Sequence, residues 1–349
     1  GKKVCAALLN HDFSATNIRV LIMNDDYSSL FHTKVVLQSD STMHVTWGES
    51  EETLSPGTKL SVSPGDDRLK EGRMTITLED PQKEIRILST KRAQGTPSYF
   101  GSFELSEESD GLLLINELDV EDYLTRVVPS EMPSNYELEA LKAQAVAART
   151  YALKKMSAQA ATYDVVDTTS DQVYNGTPSG NARCAQAVQE TSNIVGTVNG
   201  EYMASYYTAS NGGQTESVKN AWGSGSYSYL QVKDDPYDLR NGASIAKSVT
   251  FYRDGTTSVS ALTELLRTEA AMLVGADSVQ ITAINGVTLA EPKYAEPSRV
   301  YAKVQVGLTL AGYGDVTVTL DYFSQVEGLC SLSINVLKNE TLTVTEAVG

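Results

Sequence analysis

Proton transfer near neutral pH calls for a histidine, a reactive thiol or a carboxyl group in a setting that shifts its affinity for protons. The histidines His11, His32 and His44 all lie before residue 45, away from the loop-rich stretch further on. Cys5, Cys184 and Cys330 are scattered without Cys-x-x-Cys spacing, so they suggest neither a zinc motif nor a disulfide framework. At most one bridge could join them, and spacing does not say which. There is no His-Glu-x-x-His, no Gly-x-Ser-x-Gly, no phosphate-binding loop and no Gly-x-Gly-x-x-Gly. Carboxylates are left as the acid–base groups. Glu131 stands out among them, with Pro129 on one side and Met132-Pro133 on the other. Met132 precedes a proline and is biased to extended backbone. Beside Met and Pro the carboxyl is expected to be partly desolvated, which favours its neutral form and suits a general acid. On spacing alone the competing reading is a solvated loop glutamate that helps to cap the next helix.

Elements on either side must hold that residue. Gly111 to Asn116 reads as a buried strand and Glu117 to Val127 as a short helix, which hands the chain to a strand-like Val127-Val128-Pro129. The clearest element is a helix from about Tyr136 to Ser157. Ser134 and Glu137 have capping-box spacing ahead of it, and Leu138, Leu141, Ala145, Ala148 and Ala152 form one stripe. Before this, Ile18–Met23, Lys34–Leu37, His44–Thr46, Leu60–Val62, Met74–Leu78 and Ile85–Leu88 read as short strands separated by Pro, Gly and Asp. From Thr162 to about Asp238 the chain turns rich in Ser, Thr, Tyr, Gly and Asn, as in loops that carry a site on a scaffold. Strand patterns return at Ser248–Arg253, Ser278–Ile281, Val300–Leu310, Asp315–Leu320 and Leu332–Val336, interrupted by a helix near Ser260–Leu273.

At 349 residues the chain exceeds one typical domain. A formal charge of −16 with no basic cluster excludes nucleic acid and disfavours an electrostatic hold on anionic lipid. A polymer read by hydrogen bonds and ring stacking fits better, and 18 tyrosines suit it, although strand surfaces and core account for tyrosine equally well. No run of apolar residues is long enough to span a bilayer. The sequence opens Gly1-Lys2-Lys3, and any membrane association is expected only through a removed N-terminal signal or anchor.

The segment Glu121-Asp122-Tyr123-Leu124-Thr125-Arg126-Val127-Val128-Pro129-Ser130-Glu131-Met132-Pro133, followed by Leu138 to Leu153, resembles the signature of the stage II sporulation protein D (SpoIID)/LytB family. The likeness continues through Asp167-Thr168-Thr169, Gln172-Val173-Tyr174-Asn175-Gly176, Tyr206-Tyr207-Thr208-Ala209-Ser210-Asn211-Gly212-Gly213-Gln214-Thr215-Glu216, Trp222-Gly223, Tyr229-Leu230 and Asp234 to Asp238. It is firm from about residue 111 to 238 and thin elsewhere. The resemblance implies an extracytoplasmic lytic transglycosylase acting on peptidoglycan glycan strands stripped of stem peptides, in sporulation engulfment, with Glu131 as the single acid/base. Its LytB-type branch implies instead a wall-binding enhancer of a partner amidase. A cell-wall amidase or an engulfment complex is therefore an expected partner.

The resemblance gives the matching positions roles around the glycan. Gln144 and Arg149 fix the Glu131 segment or reach the sugar, a structural hydrogen-bond pair being the alternative. Asp167, Gln172 and Tyr174 line the groove, with Tyr174 on a sugar face, and Tyr207 joins them. Ser210, Gly212, Gly213 and Gln214 bring backbone close to the glycan, a plain turn being the alternative. Some relatives hold zinc with a Cys and a His-Cys pair just before Gln-Val-Tyr, but residues 165–171 contain neither Cys nor His, so no zinc and no other cofactor is expected. If relatives order that loop with zinc, either Asp171 and neighbouring hydrogen bonds do so here or the loop is looser. The expected fold is α+β, mainly β and multi-lobed, with a long Ala-rich helix after the catalytic segment and a glycan-binding groove. The expected parts are an N-terminal β-rich region with an insertion (1–110), a catalytic core (111–245) and a C-terminal β-rich region with one helix (246–349).

Overall fold

A computed structural model describes residues 7–10, 16–158, 162–177, 180–240, 249–330 and 344–345. The chain is α+β and divides into two compact units, residues 1–207 and 208–349. The strand pattern at Leu332–Val336 lies outside the described residues.

In the first unit, a seven-stranded sheet runs in the order Val165–Val166, Asn17–Leu21, Gly111–Asp119, Ser102–Glu108, Met74–Leu78, Met43–Trp47, Ser50–Leu54. Its pairs are antiparallel except Val165–Val166, which lies parallel to Asn17–Leu21. A four-stranded sheet takes Lys59–Val62, Val35–Ser39, Ile85–Ile87 and Ser98–Tyr99. Strict alternation produces these strands: Val35, Leu37, Met43, Val45, Met74, Ile76, Ile85 and Ile87 are all buried, and their neighbours are not. The strand Gly111–Asp119 is instead buried on both faces. Leu112 and Leu114 enter the main core, while Leu113 and Ile115 pack with Leu21 and Val166. A smaller sheet joins Ala7–Asn10, Ile194–Val198 and Glu201–Tyr202. Asn199 and Gly200 close its hairpin at φ 54° and 85°, the left-handed pair that a two-residue turn between twisted strands requires.

Three helices, α1 (Val120–Glu131), α2 (Leu138–Ser157) and α3 (Ala182–Glu190), cover these sheets. Two expectations are corrected here. Val127-Val128-Pro129 is not strand-like: α1 continues through Pro129 and ends on Glu131 itself. The proline removes only one late rung of the ladder, and full burial of Val127 and Val128 in the main core outweighs the local bias against helix. The capping box also does not form. Tyr136 N–H bonds to the Pro133 carbonyl in a turn, and Glu137, extended at ψ 142°, is the N-cap without a side-chain bond. Along α2, Leu141, Ala145, Ala148 and Ala152 are fully buried, as the stripe implied. The loop-rich stretch also contains an element not foreseen, α3, capped by the Asn181 side chain on the N–H groups of Arg183 and Cys184.

The second unit contains the antiparallel sheet Ile281–Pro292, Tyr301–Leu310, Gly314–Asp321, together with the helices α4 (Val218–Trp222) and α5 (Ser260–Val274) and a single helical turn at Glu327–Cys330. Leu262, Leu266 and Ala270 of α5 share a core with Ile284, Val306, Leu308, Val318 and Leu320. The strand expected to end at Ile281 begins there, and the one expected at Ser248–Arg253 is confined to Phe251–Tyr252 among the described residues.

Candidate active site

Glu131 is the last residue of α1 and is only partly exposed. Its Oε1 accepts a 2.6 Å bond from the Val173 backbone N–H and a 3.3 Å bond from the Tyr207 hydroxyl. Burial raises the Glu131 carboxyl above the usual glutamate range, and these two donors oppose that rise without cancelling it.

The segment Gln172–Gly176 lies along the end of α1 and explains the Gln-Val-Tyr-Asn-Gly pattern. Val173 N–H holds Glu131, and two residues on Asn175 N–H donates to Ser130 Oγ at 3.3 Å. The alternate side chains turn inward, leaving Gln172 and Tyr174 wholly buried. The Tyr174 ring packs between Tyr99 and Tyr123, with centroids 4.9 and 4.8 Å away, and its hydroxyl donates to Asn116 Oδ1 at 2.9 Å. Gly176 ends the segment at φ 74°, where a Cβ would lie 2.7 Å from the Ser98 carbonyl, so only glycine fits. Behind Glu131, Gln172 Nε2 donates to the Ala148 carbonyl at 3.2 Å and to the Tyr207 oxygen at 3.1 Å, and Gln172 Oε1 accepts from Tyr123 at 3.2 Å.

Arg149 is fully buried and holds the other end of α1. It makes a two-pronged ion pair to Glu121 at 2.6 and 2.7 Å and also donates to the Val188 and Ile194 carbonyls. Asp167 is likewise buried, paired with Arg92 at 2.6 Å and accepting from Met23 N–H at 3.0 Å. Gln144 is 8 % exposed, and its amide nitrogen is buried without a hydrogen-bond partner.

The positions expected to meet sugar therefore separate. Glu131, Gln172 and Tyr207 come together in one hydrogen-bonded group. Arg149, Asp167 and Tyr174 belong to the packing beneath and beside it, because a side chain with no exposed surface cannot receive a sugar face. Ser210, Gly212, Gly213 and Gln214 lie in the second compact unit. There Asp238 Oδ2 accepts from Ser210 Oγ and from the backbone N–H groups of Asn211, Gly212 and Gly213 at 2.7 to 3.3 Å. Gln214 is buried and bonds to Asp234, the Pro297 carbonyl and Arg299 N–H. The glycines thus wrap an internal carboxylate.

Two contributors were not foreseen. Tyr123 lies two helical turns before Glu131, and the spacing 123, 127, 131 would have shown it had α1 been read through Pro129. The Val173 N–H is a backbone group with no signal in the sequence. Of the two expectations for the loop at residues 165–171, the structure shows the first: it is tied by Asp171. Its carboxylate accepts from Tyr151 Oη at 2.8 Å, Lys155 Nζ at 2.6 Å and Val166 N–H at 2.9 Å. Among the described residues no cluster of His, Cys, Asp and Glu could hold a metal ion, and no helix is long and apolar enough to cross a membrane.

Residues 108–197 match the family model "Stage II sporulation protein" (SpoIID). The chain is 42 % identical over 127 residues to an uncharacterized protein of Brachyspira hyodysenteriae, which covers 36 % of this chain and 34 % of that protein. It is 37 % identical over 181 residues to the amidase enhancer of Bacillus subtilis, covering 47 % and 25 %. It is also 29 % identical over 269 residues to the stage II sporulation protein D of Bacillus amyloliquefaciens, covering 67 % and 72 %. The chain thus spans about a third and a quarter of the first two relatives and nearly three quarters of the third.

Proposed function

We propose, from the match of residues 108–197 to the SpoIID family model, that the chain is a peptidoglycan lytic transglycosylase with Glu131 as its acid and base. One observation carries this reading. Glu131 is a half-buried carboxyl, raised toward its neutral form, with one oxygen fixed by Val173 and Tyr207 and the other without a hydrogen-bond partner among the described residues. In the proposed reaction, protonated Glu131 donates to the oxygen of the MurNAc-β-1,4-GlcNAc bond as that bond breaks. The carboxylate so formed removes the proton of the muramyl C6 hydroxyl as O6 closes on the anomeric carbon, leaving a 1,6-anhydro end and a returned proton. One carboxyl group suffices for this cycle, unlike the pair that glycoside hydrolysis ordinarily uses. The substrate class makes the chain an extracytoplasmic protein of the cell envelope in this reading.

The test is mass spectrometry of denuded glycan strands incubated with the protein. Release of 1,6-anhydromuramyl ends is expected, and Glu131→Gln should reduce it by roughly 10²- to 10⁴-fold with an unchanged thermal melting curve. Reducing muramic acid ends would indicate hydrolysis instead. The similarity to an amidase enhancer favours a second reading, wall binding that stimulates a partner amidase. No cleavage of strands by either protein, with equal stimulation of an amidase by wild type and Glu131→Gln, would establish that reading in place of the first.

A further inference from the structure

We infer that Tyr207 and Gln172 form a one-way hydrogen-bond relay that keeps Glu131 Oε1 as an acceptor and leaves the carboxyl proton on Oε2. The inference rests on Glu131 being the acid. The direction of the relay is fixed at its far end by a group that has no choice. The Ala148 carbonyl can only accept, so Gln172 must present its NH₂ to it, and the same NH₂ donates to the Tyr207 oxygen. In that orientation Tyr123 donates to the opposite end of the amide, Gln172 Oε1. Rotating the amide would set its oxygen against the Ala148 carbonyl. The Tyr207 oxygen is therefore an acceptor toward Gln172, and its own hydrogen is directed at Glu131 Oε1. With the Val173 N–H there as well, Oε1 faces two donors and has no place for a proton. Neutral Glu131 must carry its hydrogen on Oε2, the oxygen without a partner among the described residues.

Groups facing Glu131 agree with this. From α1 and from the irregular segment after Tyr202 come two phenols, Tyr123 and Tyr207, which burial keeps neutral. The acidic group of the adjoining loop, Asp171, is bonded to Tyr151, Lys155 and Val166. Among the described residues Tyr207 is the side chain hydrogen-bonded to the Glu131 carboxyl, and Gln172 acts as a positioning residue through Tyr207.

The experiment is a ¹³C NMR titration of the Glu131 carboxyl carbon in the whole protein, with the pH profile of anhydro-product release alongside. Loss of a donor to the carboxylate favours the neutral acid. Tyr207→Phe should therefore move the Glu131 midpoint, and the fall of kcat/KM with rising pH, to higher pH. Gln172→Met should move both in the same direction by less, because it leaves the Tyr207 hydroxyl free to turn. Melting curves establish that both variants fold. A midpoint unmoved in Tyr207→Phe, or moved there but not in Gln172→Met, overturns the relay. Glu131→Gln retaining full cleavage would instead remove the premise, whatever the titrations show.

Discussion

In the proposed reaction Glu131 is an acid before the glycosidic bond breaks and a base afterwards, which calls for a proton affinity close to the working pH. Its surroundings provide opposing contributions. Burial disfavours the charge, while the Val173 N–H and the Tyr207 hydroxyl stabilise it, and burial prevails. The sign of the pH dependence follows. The resting enzyme must hold the proton, so kcat/KM is full below the raised value and falls as pH rises through it, that is, above the ordinary glutamate range. A profile of anhydro-end release from soluble glycan strands checks this. A rate that instead rises through that window would mean that Glu131 starts the cycle as carboxylate. The residue drew notice in the sequence because Pro129 and Met132-Pro133 flank it, although it proves to be the last residue of α1 rather than a residue set between two elements. Its setting was not legible, because Val173, Gln172 and Tyr207 lie 42, 41 and 76 positions away, as the chain numbering shows, and no local pattern reports a contact of that range.

The elements around the site show where reading by pattern succeeds. Met74–Leu78, Ile85–Ile87 and the helix Ser260–Val274 fall within a residue of their expected bounds, because one buried face dictates each of them. Reading by pattern failed at α1, where Pro129 and two valines signal a strand or a stop. Tertiary contacts decide otherwise: Val127 and Val128 are buried in the main core, and Asn175 and Val173 bind the last two residues of the helix. In the loop from Val165 to Asp171, which has no Cys or His, the sequence left open whether hydrogen bonds order it or it is looser, and the structure shows it ordered. That ordering role falls to Asp171, a tenth exposed and bonded to Tyr151, Lys155 and Val166. Asp171→Ala strands these donors and is expected to cost about 1–3 kcal/mol of stability. It should also weaken cleavage, because Gln172 and Val173 follow Asp171 directly in the chain. A chelator such as EDTA should change neither melting temperature nor rate. Loss of activity on chelation, restored by added zinc, would contradict the assignment of that role to Asp171.

At the scale of the whole molecule, the proposed acid and its relay lie in the first compact unit, and Ser210 to Gln214 in the second. Each unit has its own apolar core. That of the first draws on both larger sheets, α1, α2 and α3, and that of the second on α5 and the Ile281–Asp321 sheet. No core residue of either cluster belongs to the other. Separate cores of this kind make the stability of one unit largely independent of substitutions inside the other. Leu266, wholly buried on α5, offers the test. Leu266→Ala removes buried methyl groups and leaves a cavity, at an expected cost of about 2–5 kcal/mol. Differential scanning calorimetry of the whole chain should show one transition displaced downward by several degrees and another, reporting the unit that holds Glu131, in place. Under conditions where the second unit remains folded, the Glu131 titration should be unchanged in this variant. A single transition that moves as a whole would mean that the two cores unfold together. In that case the pH behaviour of Glu131 would have to be treated as a property of the full 349-residue chain rather than of its first 207 residues.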